Sequence, residues 1–572
     1  MILFKKILLV CCCILCIGLE MEAKAVNRRQ DSVLIAPLNQ KRVAEIAAML
    51  GDEPRGYGVP YTDRTAWNNL LKSGKCRPII LAADKFMAAP FPAMTDEIYK
   101  SFFKGKDSET SKSLTMRRRA ILATWVWAEC LTNTGKYMPA IVTAMDDLLT
   151  TKSWNFPAED RELTNYNGTQ YTVNLSAADY GSDIAQTLYL LGDKIAPEMH
   201  KKAMEMLYAR IFNPTLSAIK TKNKNKEFKS LLDMGNHNSV TLSGVTNAAL
   251  SVIKDKKERA TYIAIAERYS KNGLAGFTDD GYCTEGVAYY NYGMSYYLLL
   301  RESIYQATQG KVDIFDDPKM KQVGTFIPRM EMINGVYPAI GDCSAIPVPS
   351  GPVVHYMNKN FDLGLKQFDT FTAPAKHPLT NLMYFFPNSA SKTTTSGTKV
   401  NTEGLRSYFE LAGVLTVRPA RGSKFNLAAT LKGGHNAENH NHNDVGSFSI
   451  ALGDEMIMGD AGLATYTPKT FSPERYTAFK TIASYGHDVP LLAGMQQFES
   501  PKAQAVISNT SFTDLQDKMS MDITSAYKAK ALKKIIRHFT YDRSEQGYLQ
   551  VQDELVFETP QTYETALITR AK

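Results

Sequence analysis

The pattern of apolar and polar positions changes character once along the chain. From about residue 35 to 385, apolar side chains recur with helical spacing. Ile184, Leu188 and Leu191 fall at i, i+4 and i+7, and the run stops at Gly192-Asp193. Val245, Ala249 and Val252 repeat the spacing. In RATYIAIAERYSKNG, Tyr262, Ala266 and Tyr269 share one stripe, and Gly273 is the predicted C-cap. Such helices, separated by short polar turns, predict paired helices. No fixed-period repeat is present. The segment PNSASKTTTSGTKVNTEG (387–404) is rich in Ser, Thr and Gly and reads as a linker or surface loop. After it, FELAGVLTVRP, FNLAATLK, GSFSIALGDEMIMGD, KKIIRHFTYDR and GYLQVQDELVFE alternate with period two between turn residues. That pattern predicts an antiparallel sheet domain of sandwich type over 405–572. The sheet domain is short for a complete sandwich, so a truncated C-terminus is expected.

Length and composition narrow the class. The chain has 572 residues, more than one compact core holds, so an α+β multidomain protein is expected. Hydrophobic content of 44% and charged content of 22% describe a globular protein. The net charge of +8 is mild and compatible with an acidic polymer as partner. At the N-terminus, Lys5 and Lys6 precede a short apolar run and Ala23-Lys24-Ala25. This is the pattern of a secretory signal peptide over 1–25, and it places the protein in the periplasm or outside the cell. Lipoprotein anchoring through one of its cysteines ranks second, because the residues before each Cys fit poorly. Four of the eight cysteines lie in that segment. The remaining Cys76, Cys130, Cys283 and Cys343 are scattered, which indicates neither a disulfide framework nor a thiolate metal site.

Three stretches carry candidate chemistry. The first is Asn236-His237-Asn238. The second is DGYCTEGVAYYNYGMSYY (280–297), with five tyrosines after Glu285. The third is NHNHND (439–444), extended downstream by Asp460, Tyr466, Arg475 and His487. Each has an ordinary reading. Asn before an apolar run caps a helix. A tyrosine stripe packs in a core. His440 and His442, two apart on a strand, would point to one face as a metal pair or as surface residues.

In combination and in order, H-N-H-N-D-V-G-S-F, G-D-A-G…Y, Y-G-H-D-V, E-G-V-A-Y-Y-N-Y-G and N-H-N-S-V resemble the heparinase II/III-like polysaccharide lyases. The resemblance covers most of the chain after residue 25. It implies an incomplete (α/α) toroid over 26–386, then the antiparallel β-sandwich. It also implies β-elimination on a uronate-containing polysaccharide. The C5 proton of a uronate is barely acidic while its carboxylate is charged, so donors must neutralise that carboxylate and hold the enolate-like charge. The resemblance gives this role to Asn236 and His237, with Tyr289 and His440 as acid and base. Tyr290 and Tyr292 remain alternatives to Tyr289. Removal of the proton and O4 from one face favours Tyr289 for both jobs; removal from opposite faces favours His440 or His237 as base. Asn238, Glu285, Tyr292, Tyr466 and Arg475 are expected to bind substrate, with Glu285 alternatively orienting Tyr289. His442, Asp460 and His487 map onto a structural zinc site of the family, with water as fourth ligand.

Other functions are weighed against this one. A zinc hydrolase using H-x-H would need an activated water and a base beside the metal. It leaves the Asn-His and tyrosine stretches unexplained. An inactive secreted glycan-binding protein would use aromatic platforms, with Trp125, Trp127 and Trp154 as candidates against a core-packing reading. Neither a nucleic-acid partner nor a membrane span is expected, and the oligomeric state is not legible. Among substrates, a glycosaminoglycan such as heparin or heparan sulfate ranks first, on the H-N-H-N-D and E-G-V-A-Y-Y-N-Y-G stretches. Asn-His leans the other way, towards a non-sulfated uronate such as alginate. The basic clusters Arg117-Arg118-Arg119 and Lys220 to Lys229 read as exposed turns and carry no substrate information.

Overall fold

The computed structural model describes residues 37–104, 109–220, 230–369, 379–386, 404–463 and 465–569. The expected signal peptide, the linker save residue 404, and all but the first residue of the 220–229 stretch lie outside them. Helices run from Gln40–Met49 to Leu382–Phe385, and strands occupy the chain from Arg406 onward. No described helix is long and apolar enough to cross a membrane.

The Asn236–Val252 helix lies at the middle of the helical part, packed against Leu175–Leu191, Lys256–Leu274 and Gly286–Ala307. Nearly every residue of it is buried. Its Ser, Thr, Gly and Ala side chains are small enough for close approach on all sides. Asn247 of this helix donates to Ser182 Oγ at 2.7 Å, and Ser251 donates to Asn247 O at 2.7 Å. The spacing read at Ile184, Leu188 and Leu191 corresponds to the Leu175–Leu191 helix, which ends at Gly192. The helix expected to stop at Gly273 runs on to Leu274, with Ala275 as C-cap. Trp125, Trp127 and Trp154 are 2%, 0% and 3% exposed. They are core residues, which removes the aromatic platforms proposed for a glycan-binding protein.

The arginine run is also corrected. It lies in the Glu109–Thr132 helix, not in an exposed turn. Arg118 is buried and paired with Asp147, while Arg119 bonds Asp179 at 2.6 Å and Asp183 at 2.7 Å. Buried guanidinium groups need such partners, and these two are not available to a sulfated ligand.

The strand region forms two facing sheets. One has five strands in the order β1 (Arg406–Phe409), β2 (Val414–Val417), β3 (Leu427–Lys432), β5 (Phe448–Leu452) and β6 (Glu455–Met458). The other has β12 (Tyr548–Phe557), β11 (Leu532–Asp542), β10 (Gln516–Asp522) and β9 (Val506–Phe512). Every pairing is antiparallel. Leu415, Val417, Leu431 and Phe448 from the first sheet meet Met519, Ile535, Phe539 and Tyr541 from the second, giving a sandwich core. Along β11, buried and less buried residues alternate, which is the period-two signal of the sequence. Short strands β4 (His435–Asn436) and β8 (Ser500–Gln504) pair beside the sandwich, as do β7 (Pro490–Leu492) and β13 (Tyr563–Thr565).

The sandwich is anchored to the helices by side chains that reach into backbone. Arg329 donates to Tyr408 O at 2.7 Å, and Arg418 donates to Glu331 O at 2.8 Å and Arg329 O at 2.9 Å. Tyr282 and Phe409 meet edge to face across the same junction.

Candidate active site

The site lies where the sandwich loops meet the helix starts. Asn236 is the first residue of its helix, and Gly235, not an Asn side chain, occupies the capping position. The missing cap is supplied from another helix. Glu285 accepts the Asn236 backbone N–H at 3.2 Å and its side-chain N–H at 2.9 Å. One amide N–H of Asn236 is thereby fixed at a helix N-terminus, where the helix dipole favours negative charge. His237 comes at the next helical position and is partly exposed. Asn238 is corrected. It is 0% exposed and donates inward to Leu231 O at 2.8 Å, because two residues along a helix place it on a different face from Asn236.

The E-G-V-A-Y stretch has a packing explanation. Gly286 has φ +82°, and a Cβ there would lie 2.1 Å from Ile340 O. Only glycine fits between Glu285 and the 340–342 loop. That loop turns at Gly341, φ +69°, and Asp342 N–H donates to His440 O at 3.1 Å. A helix start, a loop of the helical part and a loop of the sandwich are thus held in one stack.

On the Gly286–Ala307 helix, Tyr289 projects into this stack and Tyr290 does not; Tyr290 is 1% exposed and packs on Phe326. Tyr289 stacks on His440 with ring centroids 3.6 Å apart and 13° between planes. Its hydroxyl lies 2.7 Å from that of Tyr466. Tyr292, 37% exposed, meets the Tyr289 ring edge to face with centroids 6.4 Å apart.

The H-x-H pair departs from the expected strand geometry. Residues 440–444 form a loop between β4 and β5, and His440 sits in the left-handed region at φ +58°. The two rings therefore do not share a strand face. They converge on one carboxylate that the sequence reading missed, Asp342. His440 Nδ1 lies 3.0 Å from Asp342 Oδ2, and His442 Nε2 lies 3.1 Å from Asp342 Oδ1. Tyr466 donates to Oδ2 at 3.0 Å and Arg475 to Oδ1 at 2.7 Å. Burial would raise the Asp342 pKa, but the hydrogen bonds from both histidines and the Arg475 charge hold it well below the usual carboxylate range.

Arg475 is corrected as a substrate contact. It is 8% exposed and is spent on Asp342, on Asn441 O at 2.9 Å and on Thr470 O at 3.2 Å. It braces the loop that carries His440. Asp444 pairs with Lys432 at 2.6 Å, and His435 with Glu438 at 2.9 Å.

Burial pushes Tyr289 above the ordinary phenol range, with Tyr466 opposing and Asp342 and Glu285 adding to the effect. Tyr466 is raised for the same first reason, with Tyr289 and Asp342 reinforcing it. Glu285 is also raised by burial, against His440 and Asn236. Glu285 is 4% exposed, and its Oε1 stands 3.9 Å from His440 Nε2, between His440 and Asn236.

Behind His440, the ligand atoms of His442, Asp460 and His487 all lie within 4.8 Å of one another, and all three residues are buried. Asp460 Oδ2 stands 3.4 Å from His442 Nδ1 and 3.0 Å from His487 Nδ1. His487 Nε2 is buried with no hydrogen-bond partner, and Asp460 Oδ2 has only the two imidazoles beside it. Buried polar atoms left this way are unusual, and two imidazoles with one carboxylate are a zinc-type donor set. The residues fit a metal ion. Burial alone would lower His442, but Asp460 and the Asp342 hydrogen bond raise it to about 9. A bound cation takes the place of that proton. Arg537 locks the surrounding loops, donating to Gly446 O at 2.9 Å and Asp488 O at 2.7 Å while paired to Asp553.

No protein-family model and no curated protein sequence matches the chain. Solved structures do match its fold. A heparinase III structure superposes with a TM-score of 0.52 at 12% identity, covering 85% of this chain and 71% of that one. The heparan sulfate lyase HepC from Pedobacter heparinus gives 0.50 at 16% identity, covering 85% and 70%. A second heparinase III structure gives 0.50 at 13%, covering 91% and 80%. The chain has the heparinase II/III-like fold, a helical toroid followed by an antiparallel β-sandwich.

Proposed function

We propose that the protein is a polysaccharide lyase that cleaves a uronate-containing polymer by β-elimination. The observation that carries the reading is the meeting of Tyr289, His440 and the Asn236 helix start at one cleft, contributed by both parts of the fold. Asn236 and His237 at the helix N-terminus receive the uronate carboxylate and stabilise the charge that develops on it. His440 Nε2 takes the C5 proton. The C5–H electrons become the C4–C5 double bond, the C4–O4 bond breaks, and Tyr289 gives its proton to O4. This division rests on burial, which keeps Tyr289 a neutral phenol and hence a donor. The stacked Tyr289 ring also supports the imidazolium that forms. Tyr292 and Tyr466 border the bound sugar.

The metal reading is structural. His442, Asp460 and His487 are 1%, 8% and 2% exposed, so an ion among them is shut off from a polymer. This disfavours the hydrolase alternative. An ion there, zinc by its donor set, would neutralise Asp460 and fix the loop that carries His440.

The substrate ranked first is a glycosaminoglycan, the class acted on by the heparan sulfate lyases that share the fold, with alginate second. The signal-peptide pattern of residues 1–25 supports a periplasmic or secreted location. The test is incubation with heparan sulfate, hyaluronan, chondroitin sulfate, alginate and glucuronan while ultraviolet absorbance is monitored. Elimination leaves a double bond conjugated to the carboxylate and hydrolysis leaves none. A rise on one polymer supports the reading and names the substrate; shortened chains without absorbance would overturn it.

A further inference from the structure

Asp342 accepts four side-chain contacts, two on each oxygen: His442 and Arg475 at Oδ1, His440 and Tyr466 at Oδ2. An ionised carboxylate is acceptor-only, with about four lone-pair sites. All four partners must therefore present hydrogens to it. Arg475 always does. For the two histidines the requirement fixes where the ring proton sits, and it fixes them oppositely. His440 meets Asp342 through Nδ1, so its proton is on Nδ1 and the Nε2 lone pair is left towards Glu285 and the cleft. His442 meets Asp342 through Nε2, so Nε2 carries a proton, and Nδ1 faces Asp460 at 3.4 Å, where a bound cation would take the place of a second proton. Tyr466 spends its only proton on Asp342, so in the 2.7 Å contact between the tyrosines it is Tyr289 that donates.

We infer that Asp342 is a positioning residue that sets opposite tautomers in the two histidines, giving His440 a free nitrogen at the cleft and turning Nδ1 of His442 to the metal cluster. A single carboxylate thereby ties the cluster to the acid–base pair. The consequence for His440 as base rests on the lyase reading; the tautomers do not. A carboxylate that orients a ligand or catalytic imidazole in this way typically matters by about 10- to 100-fold.

The test has two readouts. The first is long-range proton–nitrogen correlation on protein labelled at histidine, without substrate, with His440 assigned by loss of its signals in His440→Gln. The expected result is the Nδ1–H form for His440. The Nε2–H form in the folded wild-type protein overturns the inference, whatever the enzyme acts on. The second is Asp342→Asn, assayed on the polymer that the wild-type enzyme cleaves. The expected result is a fall in kcat of about 100-fold with KM changed by less than about threefold, together with loss of the single His440 tautomer. An unchanged kcat and an unchanged tautomer in the folded variant overturn the inference. If that variant does not fold, the wild-type tautomer decides alone. If the wild-type protein yields no unsaturated product from any uronate polymer, the lyase reading fails and the tautomer result still stands.

Discussion

Asn236 illustrates how much one side chain depends on its neighbours. Its amide would be a poor anion receptor if free to rotate, since either its oxygen or its nitrogen could face the ligand. Glu285 removes that freedom by taking one N–H of the amide and the backbone N–H of the same residue. Asn236→Ala is expected to lower kcat by about 100-fold or more, in line with removal of one oxyanion donor. Steady-state kinetics on the cleaved polymer measure it, with an unchanged melting temperature as the control. Glu285→Gln is expected to weaken catalysis less, because an amide still accepts the Asn236 side-chain N–H. At this scale the sequence pointed to side chains that the fold brings together, Asn236, Tyr289 and His440, and missed the carboxylate that His440 shares with His442. Asp342 sits in A-I-G-D-C-S, with no periodicity and no second acidic residue beside it. It meets the histidines across about a hundred residues of chain, and no local spacing encodes that. Asn238 and Arg475 carried the right chemistry, but which way a side chain turns is decided by packing, and both turn inward.

At the scale of elements, the site depends on a few close approaches. The Gly286–Ala307 helix begins against the 340–342 loop with no room for a side chain at its first residue. Gly286→Ala is expected to destabilise the fold by about 1–3 kcal/mol through overpacking and an unfavourable positive φ. Thermal unfolding measures it, and reduced activity at temperatures where the variant is folded would show that Tyr289 has been displaced. Helix and strand types were legible because amphipathic spacing and alternation are local properties, as at Ile184, Leu188 and Leu191 and along β11. The loop carrying His440 was not. N-H-N-H-N-D beside an alternating run looks like its continuation, and the left-handed turn at His440 becomes visible only through the backbone bond from Asp342 to His440 O.

For the whole molecule, the question is what holds two differently built halves in register around a cleft. Part of the answer is two arginines at the junction, Arg329 and the buried Arg418, which bond backbone across it. Within the sandwich, the cluster of His442, Asp460 and His487 joins the loop after β4 to the segments beyond β6. A metal ion held there at about 100 times its Kd contributes about 2.7 kcal/mol to stability. A strong chelator is therefore expected to lower the melting temperature of the purified protein and to leave that of His487→Ala nearly unchanged. Metal analysis of the same two samples should find the ion in the wild type and little in the variant.

The central claim is elimination by Tyr289 and His440, and the most direct measurement is ultraviolet absorbance of the product formed from a uronate polymer by wild type and by Tyr289→Phe. The account predicts a rise with the wild-type enzyme that falls by about 1000-fold in the variant, within the range for loss of a general acid, while both proteins melt alike. Undiminished formation of the unsaturated product by Tyr289→Phe would contradict it.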